Sequence, residues 1–115
     1  GEVYGSDNIE IFLAPHRRSP VCYHLLISVG GYHCGCECRG NRWNWAWEYE
    51  CQTEVEWLAD RWRVRFVMPK SAIGAEEGWA FSLVRNRHVK GWDMYGLPDG
   101  GVFFNPSLYL EVEPA

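Results

Sequence analysis

Four aromatic residues, Trp92, Tyr95, Phe103 and Phe104, stand in a glycine-rich polar stretch between a strand-like run at 79–85 and a closing run at 108–112. Rings in such a loop either pack beneath it or present a flat apolar face to a ligand. The C–H face of a pyranose ring fits a face of that kind when a few hydrogen-bonding groups stand nearby. Both readings stay open at this point.

Sulfur and imidazole offer a second chemistry. Cys34, Cys36 and Cys38 alternate, so on a strand all three project from one face. Cys22 and Cys51 fall on the expected flanking strands, and five cysteines leave one thiol unpaired within a monomer. Cross-strand disulfides in an exported protein are the leading expectation, ahead of buried free thiols packed as small hydrophobes. The third option is a zinc or copper site built from Cys34, Cys36, Cys38 and His33, or from His16, His24, His33 and the cysteines. The C-x-C-x-C spacing departs from the C-x₂-C knuckle of common zinc sites.

No catalytic residue is assigned. Ser71, Ser82 and Ser107 sit in no G-x-S-x-G elbow. Gly100 and Gly101 lead into a strand rather than the helix a phosphate loop requires. Asp93 and Asp99 beside Trp92 read as turn formers rather than as a glycosidase pair.

The elements that must position these groups are strands. At 115 residues the chain is one domain, 1–115, with room for a single core. A net charge of −4 argues against nucleic acid or an anionic membrane as partner, and no apolar run is long enough to span a bilayer. Period-two alternation marks strands at 8–13, 22–29, 32–38, 45–52, 61–68, 79–85 and 108–112. Turns fall at 14–20, at Gly30-Gly31, at 39–42 and at 70–78, the last with at most one helical turn. On the second strand Tyr23, Leu25, Ile27 and Val29 share one face, while His24, Leu26 and Ser28 share a more polar one. The fifth strand sends Trp62, Val64, Phe66 and Met68 inward and Arg61, Arg63 and Arg65 outward. An acidic row of Glu48, Glu50, Glu54 and Glu56 is expected opposite those arginines. Seven or eight short strands joined by Gly/Pro turns predict an antiparallel β-sandwich.

Four segments resemble family 9 carbohydrate-binding modules, a branch of the DOMON-like jelly-roll sandwiches. Residues 6–13 (SDNIEIFL) resemble that family's D-S-V-E-I-F strand. Residues 62–69 (WRVRFVMP), followed by Ile73-Gly74, resemble its W-x-V-E-x-x-I-P…L-G segment. Residues 79–85 (WAFSLVR) resemble W-x-F-N-x-x-R, and Trp92 with 103–110 (FFNPSLYL) resembles the closing W…F-x-x-P-x-x-F-G-x-L. The resemblance implies a Tyr4/Phe103 clamp around a sugar ring, with Glu10 hydrogen-bonding beneath it and Arg85, Trp92 and Asn105 close by. Leu26 and Ser28 stand near the positions of the family's sugar-bonding Arg and Asn, Arg65 replaces its strand Glu, and Ser82 replaces its strand Asn. Fewer polar contacts mean weaker selectivity among sugars.

The expected function is therefore non-catalytic binding of plant-type polysaccharide, cellulose or xylan, or its oligosaccharides, in an extracellular or periplasmic protein. No cofactor is expected, with structural calcium or a transition metal as the exception, and a homodimer is expected if the first part of the sandwich comes from a second chain. The alternatives are a haem or metal redox domain drawing on Met68, Met94, His24, His33 or His88, and a protein-interaction module whose Trp, Tyr and Arg residues act as anchors.

Overall fold

The computed structural model describes residues 7–60, 62–75, 78–87, 93–97 and 105–112. Nine strands run through them: β1 (Asn8–Ala14), β2 (Val21–Ser28), β3 (His33–Arg39), β4 (Arg42–Asn44), β5 (Gln52–Trp57), β6 (Trp62–Val67), β7 (Trp79–Arg87), β8 (Asp93–Leu97) and β9 (Leu110–Val112). Seven form one antiparallel sheet in the order β4-β3-β2-β1-β7-β8, with β9 continuing the outer edge of β7 beside β8. The remaining two, β5 and β6, make a separate hairpin. The architecture is the all-β, sandwich-like one that the alternation predicts.

Register sorts the side chains into two faces. Asn8, Glu10, Phe12 and Ala14 of β1 share a face with Cys22, His24, Leu26 and Ser28 of β2 and with Cys34, Cys36 and Cys38 of β3. Ala80, Ser82, Val84 and Asn86 of β7 complete it, and Tyr109 packs onto it. The opposite face carries Ile11, Leu13, Tyr23, Leu25 and Phe81 beneath a cover of Trp47, Tyr49, Phe66, Met68, Ile73 and Ala75. Every residue of β2 except Tyr23 is buried, so the middle of the sheet is dry on both sides.

Tight turns hold the β2–β3–β4 meander. At the first, the Gly31 N–H donates to the Ser28 carbonyl at 2.9 Å, and Gly31 takes a φ of +89° that only glycine accepts without strain. At the second, Arg39 pairs directly with Arg42, leaving the two-residue loop Gly40-Asn41 with Gly40 at φ +61°. The basic turn after β1 is tied across the molecule by Arg17, whose Nε donates to the Tyr109 carbonyl at 2.7 Å.

Two expectations need correction. Residues 45–51 alternate but form no strand. Trp45 lies edge-on to His24 on one face of the sheet, whereas Trp47 packs on Tyr23 and Tyr49 on Gly35, both on the other. The segment folds around the β4 edge, so its alternation arises from serving two faces of another sheet. Strand β6 keeps its expected facing and serves as part of the cover. Trp62, Val64, Phe66 and Met68 point inward as expected but are only half-buried, since the two-stranded hairpin has neighbours on one side alone. Last, the acidic row meets the arginines only in part. Glu54 and Glu56 oppose Arg65 and Arg63, while Glu48 and Glu50 precede the strand. The Glu56–Arg63 bridge, 2.6 Å and exposed, is worth at most about 1 kcal/mol.

The cover over the second face depends on Gly35. A Cβ there would stand 2.8 Å from Leu25 Cδ2, 3.0 Å from Tyr49 Cε1 and 3.2 Å from the His24 carbonyl. Gly35→Ala is expected to destabilise the domain by about 1–3 kcal/mol through overpacking. Gly30→Ala, whose Cβ would meet nothing closer than 3.5 Å, should stay within about 0.5 kcal/mol. Urea denaturation of the two variants checks this, and equal midpoints would contradict the close packing.

Candidate functional site

The cysteine-bearing face divides into two halves. On the β2–β3 side it is lined by thiols and apolar groups; on the β1–β7 side it is polar, although buried. Asn8 and Asn86 are direct cross-strand partners, 2 % and 6 % exposed, and Asn86 Nδ2 donates to Asn8 Oδ1 at 2.8 Å. The same Nδ2 group donates to Glu10 Oε2 at 2.9 Å. The other oxygen, Oε1, receives the His24 Nε2–H at 3.0 Å. An ionised carboxylate only accepts, and this settles both neighbours: Asn86 presents its NH₂, and His24 carries its proton on Nε2.

Local structure explains the arrangement. Residues 8 and 10 are two apart on β1 and so share a face, Asn86 lies opposite Asn8, and His24 sits diagonally from Glu10 across the β1–β2 pair. The His24 ring lies flat on Phe12, centroids 4.4 Å apart and planes within 5°, which fixes the direction of its Nε2–H. Burial by itself would raise the Glu10 pKa, but the hydrogen bonds from His24 and Asn86, with the attraction of the imidazole, outweigh it and hold the carboxyl below its usual range. Glu10 thus stays ionised at neutral pH in a largely dry setting.

Two polar atoms of this face lack partners among the described residues. Asn86 Oδ1 receives no donor while its Nδ2 group gives to Asn8 and Glu10, and Ser82 Oγ lies across from Phe12 with nothing to bond. A buried unsatisfied group costs about 1–3 kcal/mol, so the site is short of hydrogen-bond donors. It also has an opening, because the Glu10 side chain keeps 15 % of its surface exposed. At the rim on the β4 side, Trp45 is 54 % exposed with its ring edge-on to His24, centroids 6.4 Å apart, whereas Trp43, 48 % exposed, lies opposite Cys38 in the thiol half. Open depressions also occur along the charged hairpin face at Glu54–Arg65 and between Tyr49 and Ser71, but neither contains this polar set.

The residues expected to form a sugar site are only partly described. Tyr4, Trp92 and Phe103 lie outside the described residues, as does His88. Glu10 lies at the heart of the polar set. Arg85 does not join it: Arg85 pairs with Ile9, which puts it on the opposite face from Glu10, exposed to solvent. Asn105 is exposed, and its Oδ1 accepts from Ser107 Oγ at 2.6 Å. The residues missed by sequence reasoning are Asn8, His24 as the partner of Glu10, Asn86 and Trp45. Polar residues at 8, 10, 24 and 86 on strands otherwise rich in apolar side chains carried the signal.

The cysteine and metal expectations are also resolved in position. All five cysteines are free thiols, which is the second expectation rather than the leading one, with Cys22, Cys36 and Cys38 packed in the core. Cys34, Cys36 and Cys38 do share a face, but His33 alternates to the other one. There its Nδ1 is 2.9 Å from the Tyr49 hydroxyl and 3.8 Å from Cys51 Sγ. Among the described residues, no three His, Cys, Asp or Glu side chains converge as a metal site. Comparison with known proteins finds no match, whether among family models, curated proteins or solved structures.

The lowered Glu10 pKa fixes a pH dependence. A carboxyl held below its unfolded value of 4.5 contributes stability that is fully present above that pH and is lost as pH falls through the folded value. Denaturant titrations between pH 2 and 7 should therefore show an acid limb that is flatter in Glu10→Gln than in the parent. Parallel limbs would mean that the carboxylate is not held by His24 and Asn86.

Proposed function

We propose that the polar face around Glu10 binds carbohydrate without catalysis, as an accessory module of an exported protein acting on plant-type polysaccharide. The observation that carries this reading is the donor deficit beneath an opening. Glu10 is fixed as a carboxylate by two neighbours, Asn86 Oδ1 is unsatisfied, and the exposed Trp45 stands at the rim. A sugar hydroxyl supplies the missing donor, and its ring offers a C–H face to an indole. His24 and Glu10 resemble the base and its orienting carboxylate in a hydrolase, but Ser82 is separated from His24 by the full width of Phe12 in one row across the sheet. That spacing favours binding over acyl transfer.

The resemblance to family 9 modules supports the same reading through Glu10. It also places Tyr4 and Phe103 as a clamp, and the tryptophan rim is an independent alternative to that clamp. A protein-interaction module is the second reading, favoured by Trp57, 68 % exposed and paired with Trp62 beside the hairpin turn.

Retention on cellulose, xylan and β-glucan, measured by affinity electrophoresis, separates these readings. Glu10→Ala and Trp45→Ala should each reduce retention at least tenfold, while Trp57→Ala leaves it unchanged. Loss in Tyr4→Ala and Phe103→Ala but not in Trp45→Ala would move the stacking surface to the clamp. Absence of retention by the parent, together with self-association abolished by Trp57→Ala, would replace carbohydrate binding with the interaction module.

A further inference from the structure

The thiol half of the same face has no part in sugar binding. Cys22 of β2 and Cys38 of β3 are direct cross-strand partners, and both are almost fully buried. The Cys22 thiol is in polar contact with Cys38 and with the Tyr109 hydroxyl. Cys36 Sγ lies 3.4 Å from Cys38 Sγ. Three thiols and one phenol therefore fill a single core cluster, with Cys38 beside Cys36 on its own strand and opposite Cys22 on β2.

We propose that Cys22 and Cys38 are a reversible redox pair, oxidised to a disulfide across β2 and β3 by a low-molecular-weight disulfide. Directly opposed residues of an antiparallel pair have Cα atoms about 4.5–5.5 Å apart, inside the range a disulfide spans. Cys36 and Cys38, two apart on one extended strand, reach only the far limit of that range, so their close contact does not make them the preferred pair.

The exchange has two steps. The Cys38 thiolate attacks one sulfur of the small disulfide, forming a mixed disulfide and releasing one small thiolate. The Cys22 thiolate then displaces the second small thiolate from Cys38. The two protons lost by the cysteines end on the two released thiols, so the protein is oxidised by two electrons and the small disulfide is reduced by two.

Burial sets the gate. It raises the pKa of all three thiols, which keeps them protonated and slow in the closed fold. Entry is through β3, which only the three-residue β4 separates from the edge of the sheet. Opening of that edge exposes Cys38 first, because Cys22 is on an interior strand.

The test is incubation of the reduced chain with oxidised glutathione, followed by alkylation and peptide mass mapping. The expected product is a Cys22–Cys38 disulfide, lacking two hydrogens and reversed by dithiothreitol. It should persist in Cys34→Ser and Cys51→Ser and form several-fold faster in sub-denaturing urea. The mapping is made on the parent chain, so it does not depend on a core cysteine variant folding. A disulfide mapped to Cys36 or between Cys34 and Cys51 would overturn the proposal. So would five intact thiols under conditions in which the guanidinium-unfolded chain oxidises.

Discussion

The structure depends on β2 being dry on both sides. From Val21 to Ser28 only Tyr23 retains appreciable exposure, so the strand cannot follow the usual antiparallel economy of one buried and one solvated face. Each face needs a lid, and a chain of this length has few elements to spare. The hairpin of β5 and β6 covers one face by lending Phe66 and Met68, and Tyr109 closes part of the other. The segment between β4 and β5 serves both, giving Trp45 to one face and Trp47 and Tyr49 to the other. Trp47 suits this need, because a large ring covers more sheet than a small side chain.

Burial on both sides also makes the polar residues costly. A carboxylate removed from water loses several kcal/mol of solvation unless hydrogen bonds replace it, and hydrogen bonds to a charged group return about 1.5–3 kcal/mol each. Glu10 receives two, from His24 and Asn86, and they suffice to keep it ionised. Asn86 gives both hydrogens to Asn8 and Glu10, and no donor reaches its own oxygen. A purely structural core would be better served by apolar residues at 10 and 86. The deficit at Asn86 is the physical reason for placing a ligand here and not at the open, charged hairpin face, where every group is already solvated.

Much of the fold was legible because register has a period of two. The facing of β1, β2, β3 and β6, the shared side of Cys34, Cys36 and Cys38, and the Gly31 and Gly40 turns all follow from local rules that the tertiary structure respects. What failed was any inference that needed to know where a segment goes. Residues 45–51 alternate as a strand would, yet alternation records only that successive residues have different surroundings. Strand β8 was hidden within a polar stretch, because its place is fixed by backbone pairing with β7 that leaves little trace in the side chains. Asn86 was passed over because the run was ended at Arg85. One residue further, β7 returns to the face that holds Glu10.

His24 is the point where the two halves of that face meet. Its ring is stacked on Phe12, its Nε2–H is given to Glu10, and its cross-strand neighbour on β3 is Cys36, two residues from Cys38. The orientation of Glu10 is therefore set by a side chain on β2, and the seating of β2 against β3 is set by packing among the thiols. A covalent link between Cys22 and Cys38 would fix the β2–β3 register on one side of His24, while Phe12 fixes the ring on the other. The polar site and the thiol cluster have different chemistry, but they share one strand and one imidazole. Rigidity gained in the thiol half would therefore reach Glu10 through His24.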